Sequence, residues 1–284
     1  SVQEGGNFFF GEPVDDPGPL FYPVVLLFRG TPFALLGTLV TLFSVRRLVV
    51  REDWKKLSGR EVMVVLLWGL VITYTLALSF GTKKVNRYIL PASLAIDLLG
   101  GMGLLVMVDW IGERSRAGTT RVVSSVGLSL MVIGQAVLCL SHYPYYFSYY
   151  NPLLGGGQAA AKTILVGWGE GFDQVIEYLN EKENAGHIVL STTHGSLLDF
   201  QRFKGLVVDF PPKWTSNKPQ YPLAQVDYIC IYLNWLQTHP LPESFYDLFE
   251  SRQPEFTARA GGIEYAWLYK IDKSPYLSLP EGAV

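Results

Sequence analysis

Four long apolar stretches dominate the first half of the chain. Val62–Phe80 and Val122–Leu140 contain no Asp, Glu, Lys or Arg, and Tyr88–Val108 contains a single acidic residue, Asp97. About 20 consecutive apolar residues in a helix cross the roughly 30 Å hydrocarbon core of a membrane. The pattern therefore predicts four membrane-spanning helices, near residues 32–50, 62–80, 88–108 and 122–140.

The segments on either side of these helices are aromatic or rich in glycine. The first span is expected to begin at Thr31-Pro32, because Thr is a common N-cap and Pro is favoured at the first helical position. The apolar residues Phe21–Phe28 before it predict a short interfacial segment within an outer loop formed by residues 1–31. Residues 142–161 are expected to form an interfacial linker, because Tyr is enriched at membrane surfaces.

From about residue 162 the hydrophobic period changes. Phe172, Val175, Ile176 and Leu179 follow helical spacing and predict a helix that ends near Asn180. Gly261-Gly262 suits the tight turn of a terminal hairpin. Strands are expected at 187–192, 206–209, 226–232, 255–260 and 263–270, and short helices at 196–203 and 242–251. This alternation predicts a small soluble α/β domain over residues 162–284, following an α-helical transmembrane bundle of four spans.

Basic residues are distributed unevenly between the connections. Residues 45–61 contain six Lys or Arg and residues 109–121 contain three. Because cytoplasmic loops are rich in Lys and Arg, these two connections are expected on the cytoplasmic side. Residues 1–30, the loop Gly81–Tyr88 and everything after Ser141 would then lie on the other side of a multi-pass protein of the cell membrane. The formal net charge of −2 argues against a nucleic-acid partner.

A short basic segment between the second and third spans is the first candidate site. It contains Lys83, Lys84 and Arg87, followed by Tyr88. Basic groups at headgroup depth pair with phosphate, and Arg offers two parallel hydrogen bonds to it. Simple anchoring to anionic lipid explains the same spacing, so the pattern leaves both interpretations open.

Acidic residues give weaker signals. Asp97 lies within a span, where an ionisable residue indicates a functional site unless it is a structural residue facing Gly100 and Gly101. Asp15 and Asp16 suit either a divalent cation with phosphate oxygens or an ordinary solvated turn. Arg29 would pair with these acids or with a phosphate. A divalent cation is thus the only cofactor that the sequence leaves open.

Three familiar catalytic or phosphate-binding motifs do not fit. The loop Gly167–Gly171 lacks the third glycine of a dinucleotide-binding turn, and its Glu170 would repel a pyrophosphate. Gly155–Thr163 has Ala161 where a P-loop requires glycine. His194 lies near Ser196 and Asp199 without a nucleophile elbow, and the four histidines lack metal-site spacing.

Several segments in order resemble one family. Lys84-Val85-Asn86-Arg87-Tyr88-Ile89-Leu90-Pro91 fits a K-x-x-R-Y-x-x-P loop. The other matching segments are Pro17–Pro23 with Leu27–Pro32, Tyr143–Leu153, Val166–Gly171 and Gly262–Tyr269. Together they resemble bacterial membrane glycosyltransferases of the protein O-mannosyltransferase and aminoarabinose-transferase superfamily, the GT-C class.

This resemblance implies inverting transfer of a sugar from a polyprenyl-phosphate carrier on the non-cytoplasmic face. In the family, a basic residue of the K-x-x-R-Y-x-x-P loop lies close to the carrier phosphate. Lys84 and Arg87 occupy the matching positions here, with Lys83 and Tyr88 beside them. Further contributors expected at the same outer site are Arg29, His142 and Glu170.

The chain departs from the family at the catalytic carboxylate. That residue lies in the first outer loop of the family, and no segment here matches this loop. No residue is therefore assigned to catalysis, and the chain alone is expected to be inactive. The expected partners are the polyprenyl-phosphate-linked sugar, membrane lipid and a missing N-terminal transmembrane half. The alternatives are a non-catalytic membrane anchor for an α/β binding domain and a transporter fragment.

Overall fold

The computed structural model describes residues 6–51, 58–81, 84–114, 120–192, 202–209, 225–239 and 253–271. The chain divides into two compact units. The helical unit is Val14–Ile164, and the sheet unit combines Ser1–Pro13 with Leu165–Val284. The described residues before Val14, which were expected in the outer loop, belong to the sheet unit.

The helical unit contains five helices at the predicted apolar stretches and a short sixth helix. They are α1 (Phe21–Arg29), α2 (Pro32–Arg51), α3 (Gly59–Ser79), α4 (Leu90–Arg114), α5 (Thr120–Leu140) and α6 (Gly156–Thr163). As expected, α2 begins at Pro32, and the Thr31 hydroxyl accepts the Ala34 N–H at 3.2 Å. Helix α3 begins with a capping box, in which Ser58 and Glu61 each bind the backbone N–H of the other.

Two of the described helical segments are long and apolar enough to cross a membrane. They are Gly59–Ser79 and Asn86–Glu113. Helix α1 and the first part of α2 count as a third, broken span if they are taken together, although they are bent by 119°. The apolar part of α5, Ser124–Leu140, is shorter. The described residues therefore support two or three spans and not the predicted four. Within the described residues, the apolar parts of α2 and α5 extend over Pro32–Phe43 and Ser124–Leu140.

Helices α2 and α4 cross with their backbones in contact. A methyl group added to Gly37 would overlap the carbonyl of Gly100, and one added to Gly103 would overlap the carbonyl of Gly37. The Thr38 hydroxyl donates to the Ile96 carbonyl at 3.0 Å across the same interface. Small residues allow such close helix packing in membranes, where burial of apolar surface does not drive association. This contact organises the helical unit.

The sheet unit is built on five strands: β3 (Val189–Thr192), β4 (Leu206–Asp209), β5 (Tyr228–Tyr232), β6 (Phe256–Ala260) and β7 (Ile263–Lys270). Their order in the sheet is β4-β3-β5-β7-β6. Strand β3 pairs in parallel with β4 and β5, whereas β7 is antiparallel to β5 and β6. Two short strands near the N-terminus, β1 (Asn7–Phe9) and β2 (Glu12–Val14), form a separate pair.

The predicted elements of this unit are largely confirmed. Helix α7 (Phe172–Asn180) buries all four residues of its apolar stripe, and the final hairpin turns at Gly261-Gly262. Both turn glycines have positive φ, which glycine adopts without steric cost. The short helix α8 (Leu233–Thr238) was not predicted. The helices expected at 196–203 and 242–251 fall almost entirely outside the described residues.

Candidate functional site

Helix α1 packs against two polar segments of the helical unit. The first is the basic segment, Gly81–Ile89, and the second is the aromatic segment, His142–Asn151. On the side of the basic segment, the buried Tyr22 hydroxyl accepts the Val85 N–H at 3.4 Å. On the side of the aromatic segment, the Phe28 carbonyl accepts the Asn151 N–H at 2.7 Å. The packing of α1 thus fixes both segments.

Within the basic segment, Lys84 is buried and bound. Its ammonium donates to Asp16 Oδ1 and to the Gly81 carbonyl, each at 2.6 Å. The Lys84 side chain is 1% exposed, whereas that of Asp16 is 50% exposed. The hydrogen bond from Lys84, together with one from the Gly18 N–H, holds the pKa of Asp16 below its ordinary value. Asp16 is thus the counterion of a buried lysine, and the Lys84 ammonium is not presented to a ligand.

Arg87 is the exposed basic residue of this segment. It lies in the short 3-10 turn Asn86–Ile89, directly before α4. Its guanidinium carbon lies 5.9 Å from the centroid of the half-buried Tyr88 ring. Lys83 lies outside the described residues. The structure therefore places Arg87 where a ligand at the start of α4 can reach it, with Lys84 buried beneath the same segment.

Arg29 holds the aromatic segment. One guanidinium nitrogen donates to the carbonyls of Phe147 (2.7 Å) and Tyr149 (3.2 Å). The other nitrogen donates to the Tyr150 hydroxyl at 3.0 Å, and the guanidinium lies 4.2 Å from the centroid of that ring. None of these contacts is with an acidic residue. Arg29 is therefore a structural clamp in this arrangement.

His142 also belongs to the aromatic segment. Its Nδ1 lies 3.0 Å from both the Ser141 hydroxyl and the Leu138 carbonyl, and its ring meets the Tyr149 ring edge-on. The Tyr149 hydroxyl is buried and has no hydrogen-bond partner among the described residues. Burial and, to a smaller extent, the charge of Asp97 raise the pKa of Tyr149 to about 12. Tyr149 is therefore neutral at physiological pH.

Glu170, the remaining predicted contributor, lies in the sheet unit and closes a glycine-rich loop. Its Oε2 accepts the Trp168 N–H at 2.5 Å and the Tyr232 hydroxyl at 3.2 Å. The Tyr232 oxygen in turn accepts the Gly169 N–H at 2.8 Å. The N–H groups of Trp168 and Gly169 thus donate to acceptors within the protein, so neither is free to bind a phosphate in this arrangement. The rejection of a dinucleotide turn here is consistent with this geometry.

Removal of the Tyr232 hydroxyl is expected to destabilise the sheet unit. Tyr232→Phe leaves the Gly169 N–H and the buried Glu170 carboxylate each without one hydrogen bond, at a cost of about 1–3 kcal/mol. The control is Ser191→Ala, since the buried Ser191 hydroxyl has no hydrogen-bond partner among the described residues. Chemical denaturation followed by tryptophan fluorescence should show a lower midpoint for the first variant only. Equal midpoints would show that the hydrogen bonds of the Tyr232 hydroxyl contribute nothing to the stability of the sheet unit.

One polar cluster of the sheet unit was not predicted. Lys182 donates to Glu255 at 2.7 Å, and the hydroxyls of Tyr178 and Tyr228 donate to the same carboxylate oxygen. The cluster borders a cavity of about 450 Å³. No sequence motif marks it, because Lys182 and Glu255 are 73 residues apart.

The described residues contain no group of three or more His, Cys, Asp or Glu that could hold a metal ion. Asp16, one of the two acids considered for a divalent cation, is paired with Lys84 instead. Comparison with models of known protein families, with curated proteins and with solved structures gives no match for this chain. The candidate site therefore rests on its own geometry, which centres on Arg87 at the start of α4.

Proposed function

We propose that this chain is the donor-binding part of a membrane glycosyltransferase that uses a polyprenyl-phosphate-linked sugar. The observation that carries the proposal is the position of Arg87. It is an exposed guanidinium in a short turn that leads directly into a helix long and apolar enough to cross a membrane. A phosphate at headgroup depth would meet Arg87 while its isoprenoid chain lies among the apolar helices.

Two further features support phosphate binding at this position. The N-terminal end of a helix carries partial positive charge, and Arg87 precedes the first residue of α4 by only three positions. The guanidinium group matches the oxygens of a phosphate in a bidentate geometry. In this proposal Arg87 contacts the phosphate, and Lys84 positions the segment by binding Asp16 and Gly81.

The proposal includes a topology. Helices α2, α3, α4 and α5 cross the membrane, and the basic ends of α2 and α5 lie at the cytoplasmic surface, where long basic side chains reach the headgroups. The basic segment, the aromatic segment and the sheet unit lie on the opposite side. The catalytic carboxylate is contributed by a further membrane part, so the chain alone binds the donor without transferring its sugar.

Binding of the donor lipid tests this proposal. The chain is reconstituted in phosphatidylcholine vesicles that contain a photoactivatable polyprenyl phosphate, and labelling is measured against the mole fraction of the probe. Arg87→Gln should raise the half-saturating fraction at least about tenfold, because a hydrogen bond to a charged group contributes about 1.5–3 kcal/mol. The matched control is Arg259→Gln, which removes another exposed arginine, one paired with Glu264 in the sheet unit.

Two outcomes would contradict the proposal. Equal labelling of the wild type and Arg87→Gln would remove Arg87 from the donor site and favour a membrane-anchored binding domain. Competition by phosphatidylglycerol as effective as that by unlabelled polyprenyl phosphate would mean that the segment anchors to anionic lipid in general.

A further inference from the structure

Helix α4 has two distinct faces. One face is buried against the rest of the helical unit and includes Ala92, Ala95, Ile96 and Leu99. The opposite face is an exposed stripe at helical spacing, which we call the Asp97 stripe. It consists of Leu94, Asp97, Leu98, Gly101 and Leu105. The described helices leave this stripe uncovered.

Contact between this stripe and lipid is energetically unfavourable because the stripe contains Asp97. Asp97 lies seven positions after Leu90, the first residue of α4, which places it about 10 Å along the helix axis. Acidic residues at such depth normally face other protein groups or a hydrated cavity. The exposed faces of α3 and α5 differ in this respect, since Val62–Ser79 and Val122–Leu140 contain no charged residue. Those faces suit lipid, and the Asp97 stripe does not.

Gly101 gives an independent indication that another helix covers the stripe. Gly100 and Gly103 are needed for the close crossing with α2, because a Cβ at either position would collide with that helix. A Cβ at Gly101 would meet no atom within 4 Å. Gly101 therefore leaves a shallow notch beside Asp97, one turn along the same face. Small residues of this kind allow a second helix to approach closely in a membrane.

The charge of Asp97 has no counterion among the described residues. None of their salt bridges includes Asp97. Tyr149 is close enough to feel the charge, but a neutral phenol does not compensate it. The described residues therefore leave this charge to be compensated by whatever covers the stripe.

We propose that the Asp97 stripe is the docking surface for a membrane-spanning helix that is not among the described residues. This helix presents a Lys or Arg side chain to Asp97 and packs its backbone into the notch at Gly101. A second copy of the chain does not fit, because a symmetric contact would bring two Asp97 carboxylates together. The inference shares with the proposed function the placement of α4 across a membrane, but it does not require Arg87 to bind a phosphate.

Site-specific photocrosslinking in the native membrane tests this inference. A benzoylphenylalanine residue replaces Leu98, which is 53% exposed on the stripe, or Leu130, which is 63% exposed on α5 and serves as the matched control. The Leu98 probe should form an adduct with a peptide, and mass spectrometry should identify an apolar membrane-spanning segment with a basic residue. The Leu130 probe should form adducts with lipid.

Charge variants then test the recognition itself. Asp97→Asn keeps the size of the side chain and removes its charge, so it should lower the Leu98 adduct at least about tenfold. Asp97→Lys should abolish the adduct, and reversal of the partner's basic residue to Glu should restore it. Lipid adducts at Leu98, adducts between two copies of this chain, a captured helix without a basic residue, an unchanged yield in Asp97→Asn or a failed charge reversal would each overturn the inference.

Discussion

Replacement of Gly37 by leucine is expected to prevent the helical unit from folding. The backbones of α2 and α4 touch at this position, so that even a methyl group would overlap the carbonyl of Gly100. Overpacking of a well-packed interface by one or two methylenes costs about 1–3 kcal/mol, and a leucine side chain adds more atoms than that. The two helices would have to separate, and the hydrogen bond from Thr38 to Ile96 would be lost with the contact.

The measurement is thermal unfolding of the chain in detergent, followed by circular dichroism. Gly37→Ala should lower the midpoint and Gly37→Leu should leave no cooperative transition. Gly101→Ala is the matched control, because it adds the same methyl group to α4 where no atom lies within 4 Å. A normal transition in Gly37→Leu would show that the close crossing of α2 and α4 does not exist.

The second large loss of stability is expected when the ion pair between Lys84 and Asp16 is broken. Its size should depend on which of the two residues is replaced. Asp16→Asn leaves the Lys84 ammonium, which is almost fully buried, without its counterion. Lys84→Met instead releases a half-exposed carboxylate to water and loses the bond to the Gly81 carbonyl, a charge-assisted hydrogen bond that contributes about 1.5–3 kcal/mol. Asp16→Asn should therefore destabilise the helical unit more than Lys84→Met does. A buried charge without a counterion lowers the stability of the fold more than the absence of both charges does.

A double variant tests whether the loss of stability in Asp16→Asn comes from the buried Lys84 charge. Asp16→Asn combined with Lys84→Met removes both charges and should be more stable than Asp16→Asn alone. Because both changes release the basic segment, each single variant should also weaken the proposed binding of the donor phosphate at Arg87. A double variant that is no more stable than Asp16→Asn would show that Lys84 is not buried as described.

The pH dependence of this pair has a definite sign. The pKa of Asp16 is lower in the folded chain than its ordinary value of about 4. Its contribution to stability is therefore present above about pH 4 and is lost as the pH falls through the lower folded-state pKa. The double variant should lack this component of acid sensitivity in unfolding curves recorded between pH 6 and 2.

Much of the secondary structure follows from local sequence patterns. Helices α3 and α4 arise from apolar runs, and the capping box at Ser58 and Glu61 fixes where α3 begins. The terminal hairpin follows from two strand-like runs on either side of Gly261-Gly262. The number of spans does not follow in the same way. The sequence predicts four, whereas two of the described helical segments are long and apolar enough to cross a membrane, or three if α1 and the first part of α2 count as one broken span.

The candidate site was predicted only in part. The sequence pointed to Lys84 and Arg87 together as phosphate ligands, because both occupy one short basic segment. The structure separates them, since Lys84 is buried against Asp16 and Arg87 is exposed. Arg29 likewise proved to be a clamp for the aromatic segment, more than 100 residues away in the chain. Neither the ion pair of Lys84 with Asp16 nor the contacts of Arg29 with the aromatic segment could be predicted from a sequence motif, because the partners lie far apart in the chain.

The sequence by itself determined where the apolar helices and the principal strands form, because hydrophobic period, capping residues and turn glycines act over a few neighbouring residues. It also located the one acidic residue, Asp97, within the apolar run of α4. Only the tertiary structure decided which basic residue is exposed and which face carries Asp97. Burial and ion pairing depend on which segments meet, and here the packing of α1 and the crossing of α2 with α4 bring together residues that lie far apart in the chain.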